Sequence, residues 1–104
     1  MAGYTGEQKR AFFRVVYPTG KRPVLMYAGR PYEIIDLCEQ GVKFINKYGR
    51  IRDDMVRATI RFRDGESVEV VGKVHRVDHD QVVLLLIIGV PYKVIHKEQL
   101  ALRV

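Results

Sequence analysis

The chain has 104 residues, 47% of them apolar, which is enough for one buried core and too little for a second domain. Eighteen basic residues against 12 acidic ones leave a formal charge of +6, a field that attracts phosphates and repels cationic partners without choosing among anions. One cysteine, Cys38, excludes an intrachain disulfide and fits a reducing, cytoplasmic setting, and the polar stretch Met1 to Arg10 lacks the apolar run of a secretory signal.

Residues 1–10, with Gly3, Gly6 and few groups to bury, read as a flexible basic tail; the ordered domain, residues 11–104, begins at Phe12 and Phe13. Pro18, Gly20 and Pro23 punctuate a loop into a first strand, Val24 to Ala28. Gly29-Arg30 supplies a tight connection to Tyr32 to Leu37, and a turn over Cys38 to Gly41 hands the chain to Val42 to Ile45, forming a hairpin. A polar loop with Lys47, Gly49, Arg50, Arg52, Asp53 and Asp54 follows. The chain then alternates, with Val56, Ala58, Ile60 and Phe62 on one side and Arg57, Thr59, Arg61 and Arg63 on the other. Asp64-Gly65 signals a two-residue turn, and Val68, Val70 and Val74 carry an alternating strand to Val77. Asp78 to Gln81 turns the chain into the apolar strand Val82 to Ile88, which Gly89 and Pro91 stop. The apolar run Val82 to Val90 falls far short of the roughly 20 residues a helix needs to cross a bilayer, so no membrane span is expected. Val94 to Leu102 fits one or two turns of helix. About six strands joined by short turns, with no crossover helix between them, predict an all-β fold: a six-stranded antiparallel barrel with a short C-terminal helical segment.

Catalytic chemistry has little material. Ser67 is the only serine, and it lies in a strand beside Glu66 and Glu69; no motif places an imidazole near Cys38. His75, Asp78, His79 and Asp80 have the residue types of a metal cluster but straddle a strand end, where residues four apart do not converge as they do on a helix. The glycines form neither a phosphate loop nor a dinucleotide fingerprint. No enzyme, metal or cofactor is expected. Nor is a specific nucleic-acid partner, because Phe62 lies on the face opposite the Arg57, Arg61 and Arg63 row and cannot interleave with it.

Two constellations remain. Lys9, Arg10 and Arg14 crowd cations around Phe12 and Phe13, and the arginines, separated by three residues, are placed to grip one ligand from two sides. A guanidinium forks onto guanine O6 and N7 or onto a phosphate, and its flat face stacks on a base. The alternative is a basic tail that binds nothing in particular. The second constellation is Asp36-Leu-Cys38-Glu-Gln-Gly41 at the hairpin turn. An ionised Asp36 can accept from guanine N1–H and N2–H, and Gly41 permits either close approach of a phosphate or positive φ. Alternatively both residues only shape the turn.

Together, Arg10-Ala-Phe-Phe-Arg14 and, 22 residues on, Asp36-Leu-Cys-Glu-Gln-Gly41 resemble the PilZ family of bacterial cyclic di-GMP receptors, whose pattern is Arg-x-x-x-Arg followed by Asp or Asn-x-Ser-x-x-Gly. Cys38 stands where that pattern has serine. The resemblance implies a PilZ-type six-stranded antiparallel barrel and a non-enzymatic receptor for cyclic di-GMP. In that receptor Arg10 and Arg14 contact guanine and phosphate, Asp36 reads a guanine edge, Cys38 takes the serine's place, Gly41 allows close approach and Lys9 adds charge. The signal then passes to a downstream partner protein in motility, biofilm or polysaccharide control. Some members of the family bind no nucleotide and act as protein adaptors, which is the alternative the resemblance carries.

Overall fold

The computed structural model describes residues 14–102. The tail assigned to residues 1–10, with Lys9 and Arg10 in it, and the pair Phe12-Phe13 lie outside the described residues. Among the described residues seven strands precede one helix: β1 (Val15–Val16), β2 (Val24–Tyr27), β3 (Arg30–Cys38), β4 (Gly41–Ile45), β5 (Val56–Arg61), β6 (Ser67–Asp78), β7 (Gln81–Ile88) and α1 (Tyr92–Leu102). Hydrogen-bonded neighbours run β3-β2-β5-β6-β7-β4, and β4 pairs back onto β3, so six antiparallel strands close into a barrel. β1 is additional, lying against β3 with Val15 opposite Leu37 and Val16 opposite Asp36. The all-β barrel with a short C-terminal helix expected from the sequence is the observed architecture.

Alternation explains the inside and the outside. Val56, Ala58 and Ile60 of β5 turn inward while Arg57 and Arg61 stay exposed, as a half-buried strand requires. Leu25, Ile34, Phe44, Ile60, Leu84 and Ile95 are fully buried and form the centre of the core.

The connections refine the sequence reading. Between β2 and β3 the two turn residues are Ala28 and Gly29, not Gly29 and Arg30, because Tyr27 pairs with Arg30 and closes the loop one residue earlier. Both have positive φ, 53° and 76°, the mirror-image turn whose twist matches a hairpin. Asp64-Gly65 belongs to a longer connection than expected, since Gly65 N–H donates to the Phe62 carbonyl at 3.0 Å and Phe62 N–H to Glu66 at 2.8 Å. Asp78 pairs with Gln81 as the last turn requires.

The helix is longer than one or two turns. It has 11 residues, about three turns, starting where the Pro91 carbonyl accepts from Val94 N–H at 3.0 Å. Val94 and Ile95 are buried, Lys97 pairs with Asp64 and with Glu66, each at 2.6 Å, and the Tyr17 hydroxyl donates to Glu98 at 2.6 Å. These partners are remote in sequence and hold turns that local periodicity does not mark. Among the described residues no helix is long and apolar enough to cross a membrane.

Candidate functional site

Asp36 and Cys38 end β3, Gly41 opens β4, and Arg14 directly precedes β1. From buried Tyr32 and Ile34, plain alternation would turn residue 36 inward. A bulge intervenes at Ile35, where the β3–β4 register slips between the pairs Ile34–Phe44 and Asp36–Lys43. The extra residue sends Leu37 into the core and leaves Asp36 and Cys38 on the outer face, a common way for a sheet to re-aim side chains.

Arg14 reaches Asp36 there. Its Nε donates to Oδ1 and Oδ2, each at 2.9 Å, and its Nη2 donates to Oδ2. The Asp36 residue is 9% exposed, whereas half of the Arg14 side chain meets solvent. The hydrogen bond to Asp36, then its Coulomb attraction, raise the guanidinium pKa, so Arg14 stays charged. A planar guanidinium has two forks that can each engage an oxyanion. Asp36 takes the Nε–Nη2 fork, and the Nη1–Nη2 fork points away from the carboxylate. The Arg14 backbone is held as well: its carbonyl accepts from Gln99 Nε2 of α1 at 3.3 Å, and Val15 beside it is buried.

Cys38, half-buried, lies opposite Gly41, and Gly41 lies opposite Leu85 of β7. The turn residues between Cys38 and Gly41 are Glu39 and Gln40. Gly41 does not have positive φ, so of the two roles its type permitted, close approach is the one its backbone leaves open. A Cβ there would stand 3.4 Å from Cys38 Sγ and 3.7 Å from the Leu84 carbonyl, ordinary contacts. Having no side chain, Gly41 leaves the outer surface low between Cys38 and Leu85.

The turn itself is clamped. The Gln40 carbonyl accepts from Leu86 N–H at 2.9 Å and the Glu39 carbonyl from Val90 N–H at 2.8 Å. A Cβ on Gly89 would lie 1.9 Å from the Glu39 oxygen, so this approach requires glycine.

The structure thus gathers four of the six residues selected from the sequence, Arg14, Asp36, Cys38 and Gly41, around one hairpin end; Lys9 and Arg10 lie outside the described residues. Sequence reasoning missed Lys43, which faces Asp36 across the strands, although a two-residue turn pairing Cys38 with Gly41 was signal enough to find it. It also missed Gln99, whose contact with Arg14 spans 85 positions and leaves no local mark. The arrangement offers an oriented cation and a bare backbone on an open surface, which is chemistry for holding an anion. Among the described residues, no group of three or more His, Cys, Asp or Glu side chains gathers to hold a metal ion.

No protein-family model matches the sequence, and no curated protein matches it. Among solved structures the chain is similar to an uncharacterised Legionella protein, with a TM-score of 0.60 at 16% identity, covering 86% of this chain and 89% of that one. At such identity the likeness is one of fold.

Proposed function

We propose that the domain is a non-enzymatic receptor for cyclic di-GMP of the PilZ type, which passes the signal to a downstream partner protein in the cytoplasm. The observation that carries this reading is the meeting of Arg14 with Asp36 beside Cys38 and Gly41, since residues 22 and more positions apart converge in the order the resemblance demands. In this reading Asp36 has two tasks. It fixes the arginine, and because its Oδ1 accepts from Nε alone among the Arg14 donors, a lone pair remains on that oxygen for a guanine N–H. The outward fork of Arg14 takes a phosphate or guanine O6 and N7. Gly41 lets the ligand approach the backbone, and Lys9 and Arg10 supply further cations from the preceding segment. The Cys38 thiol, a weaker hydrogen-bonding group than a hydroxyl, lowers affinity by about 1 kcal/mol, roughly fivefold.

Calorimetric titration of the full chain tests the reading. Cyclic di-GMP binds saturably and more tightly than cyclic di-AMP or GTP, and Arg14→Ala weakens it more than Lys9→Ala does. Equal affinity for cyclic di-AMP removes the guanine-reading role of Asp36, and no heat with any of the three nucleotides removes the receptor function.

A further inference from the structure

Three large apolar side chains crowd the end of β7 on the outside of the barrel: Leu85, Ile87 and Ile88 are 55%, 61% and 57% exposed. Alternation from buried Leu84 and Leu86 would turn residue 88 inward. The β6–β7 register slips between the pairs Val71–Ile88 and Gly72–Leu86, and this bulge turns Ile88 out beside Ile87. Next to Ile88 the surface dips into an open depression of about 370 Å³, with Met26, Thr59, Glu69 and Val71 on its walls. Exposed cations border the apolar side chains: Arg57 is paired across the strands with Val71, Lys73 with Leu85 and Arg76 with Val83.

Clustered apolar groups with a polar rim are the composition of a protein-binding surface rather than of an ordinary solvated strand. The backbone here has no capacity left to add a strand, because Leu85 is paired with both Gly41 and Lys73, and Val71 with both Arg57 and Ile88. Recognition must run through side chains. An amphipathic helix presents one apolar stripe to such a cluster, with one anchoring side chain in the depression. A second copy of this chain, related by a two-fold axis, would set the same cations against themselves. An acidic partner is favoured by them instead. We infer that the outer face of β6 and β7 is the docking surface for an acidic amphipathic helix of a partner protein, its apolar stripe on Leu85, Ile87 and Ile88 and its carboxylates on Arg57, Lys73 and Arg76.

The inference does not require a nucleotide, so it is tested on the full chain without one. The probes are two fluorescein-labelled designed peptides sharing one leucine stripe, flanked by glutamates in the first and by lysines in the second. Anisotropy titration gives saturable binding of the acidic peptide that weakens with added salt, and at least tenfold weaker binding of the basic one. Leu85→Glu with Ile87→Glu abolishes binding, and Lys73→Glu, a change confined to an exposed charge, lowers affinity at least tenfold. Leu100→Glu, at a leucine that is 46% exposed on α1 and outside the proposed surface, leaves it unchanged. Equal binding of the two peptides overturns the inference, as does binding indifferent to Leu85, Ile87 and Lys73. So does self-association in sedimentation that Leu85→Glu abolishes, or attachment to phosphatidylglycerol vesicles with none to the peptide.

Discussion

A Cβ on Gly41 meets the Cys38 sulfur and the Leu84 carbonyl at ordinary distances, and the backbone there is not left-handed, so the barrel accepts alanine at this position. In a strand, alanine is favoured over glycine by roughly 0.5–1 kcal/mol. Gly41→Ala is therefore expected to melt at or above the temperature of the parent, while its methyl group fills the low ground a ligand would use and weakens cyclic di-GMP at least tenfold. Cys38→Ser is expected to act oppositely, strengthening binding about fivefold by restoring a short hydroxyl contact. Calorimetry and thermal melts on the two variants separate a ligand site from a turn that merely tolerates both residues; unchanged affinity in both leaves only the turn. At this scale the residue types were legible and their orientation was not. Arg14 and Asp36 were each read as facing a ligand, and their pairing with one another was missed, because it depends on the bulge at Ile35 that turns Asp36 outward.

Among the elements, β1 and α1 hold the arginine in place. Tyr17, just beyond β1, is buried, donates from N–H to the Ile35 carbonyl at 2.8 Å and from its hydroxyl to Glu98. Burial first, then the hydrogen bond to Glu98, raise its phenol pKa far above the usual 10.0. An unfolded chain releases that proton near pH 10 and the folded one keeps it, so the stabilisation is complete below pH 10 and falls as the pH climbs beyond it, by up to about 1.4 kcal/mol per pH unit. Tyr17→Phe removes the hydrogen bond, about 1 kcal/mol near neutrality, together with the slope. Denaturant titrations of the two proteins should differ at pH 8 and converge within about one pH unit above 10; parallel curves across that range refute the coupling between β1 and α1. The strands of the barrel were legible because alternation marks β5 and β6, a continuous apolar run marks β7, and turn residues bound β2, β3 and β4. β1, with two residues paired to β3, has too few to show a pattern, and α1 was read short because its middle turn, through Lys97 and Glu98, rests on Asp64, Glu66 and Tyr17.

For the molecule as a whole, closure rests on β4, five residues bonded to β3 on one side and to β7 on the other. The sequence showed the hairpin β3–β4 but not that β4 leaves β5 to pair with β7, since strand order follows from contacts that no turn residue announces. One residue that serves the closure was read as only a strand stop: Gly89. It lets the β3–β4 turn lie against the link from β7 to α1, where Val90 N–H donates to the Glu39 carbonyl. In Gly89→Ala the new methyl carbon would stand 1.9 Å from the Glu39 oxygen, a backbone atom that cannot swing aside as a flexible side chain would. The turn must move as a unit, losing that hydrogen bond and loosening the one from Leu86 to Gln40. A cost of about 3 kcal/mol is expected, which for a domain of this size lowers the melting temperature by roughly 12 to 24 °C. Cys38 and Gly41 flank the displaced turn, so cyclic di-GMP affinity, measured well below the variant's melting point, should fall as well. Melting within a few degrees of the parent would mean that the turn is not clamped to β7. A large drop in stability with unaltered affinity would place the nucleotide elsewhere on the barrel, away from the hairpin end that Gly89 supports.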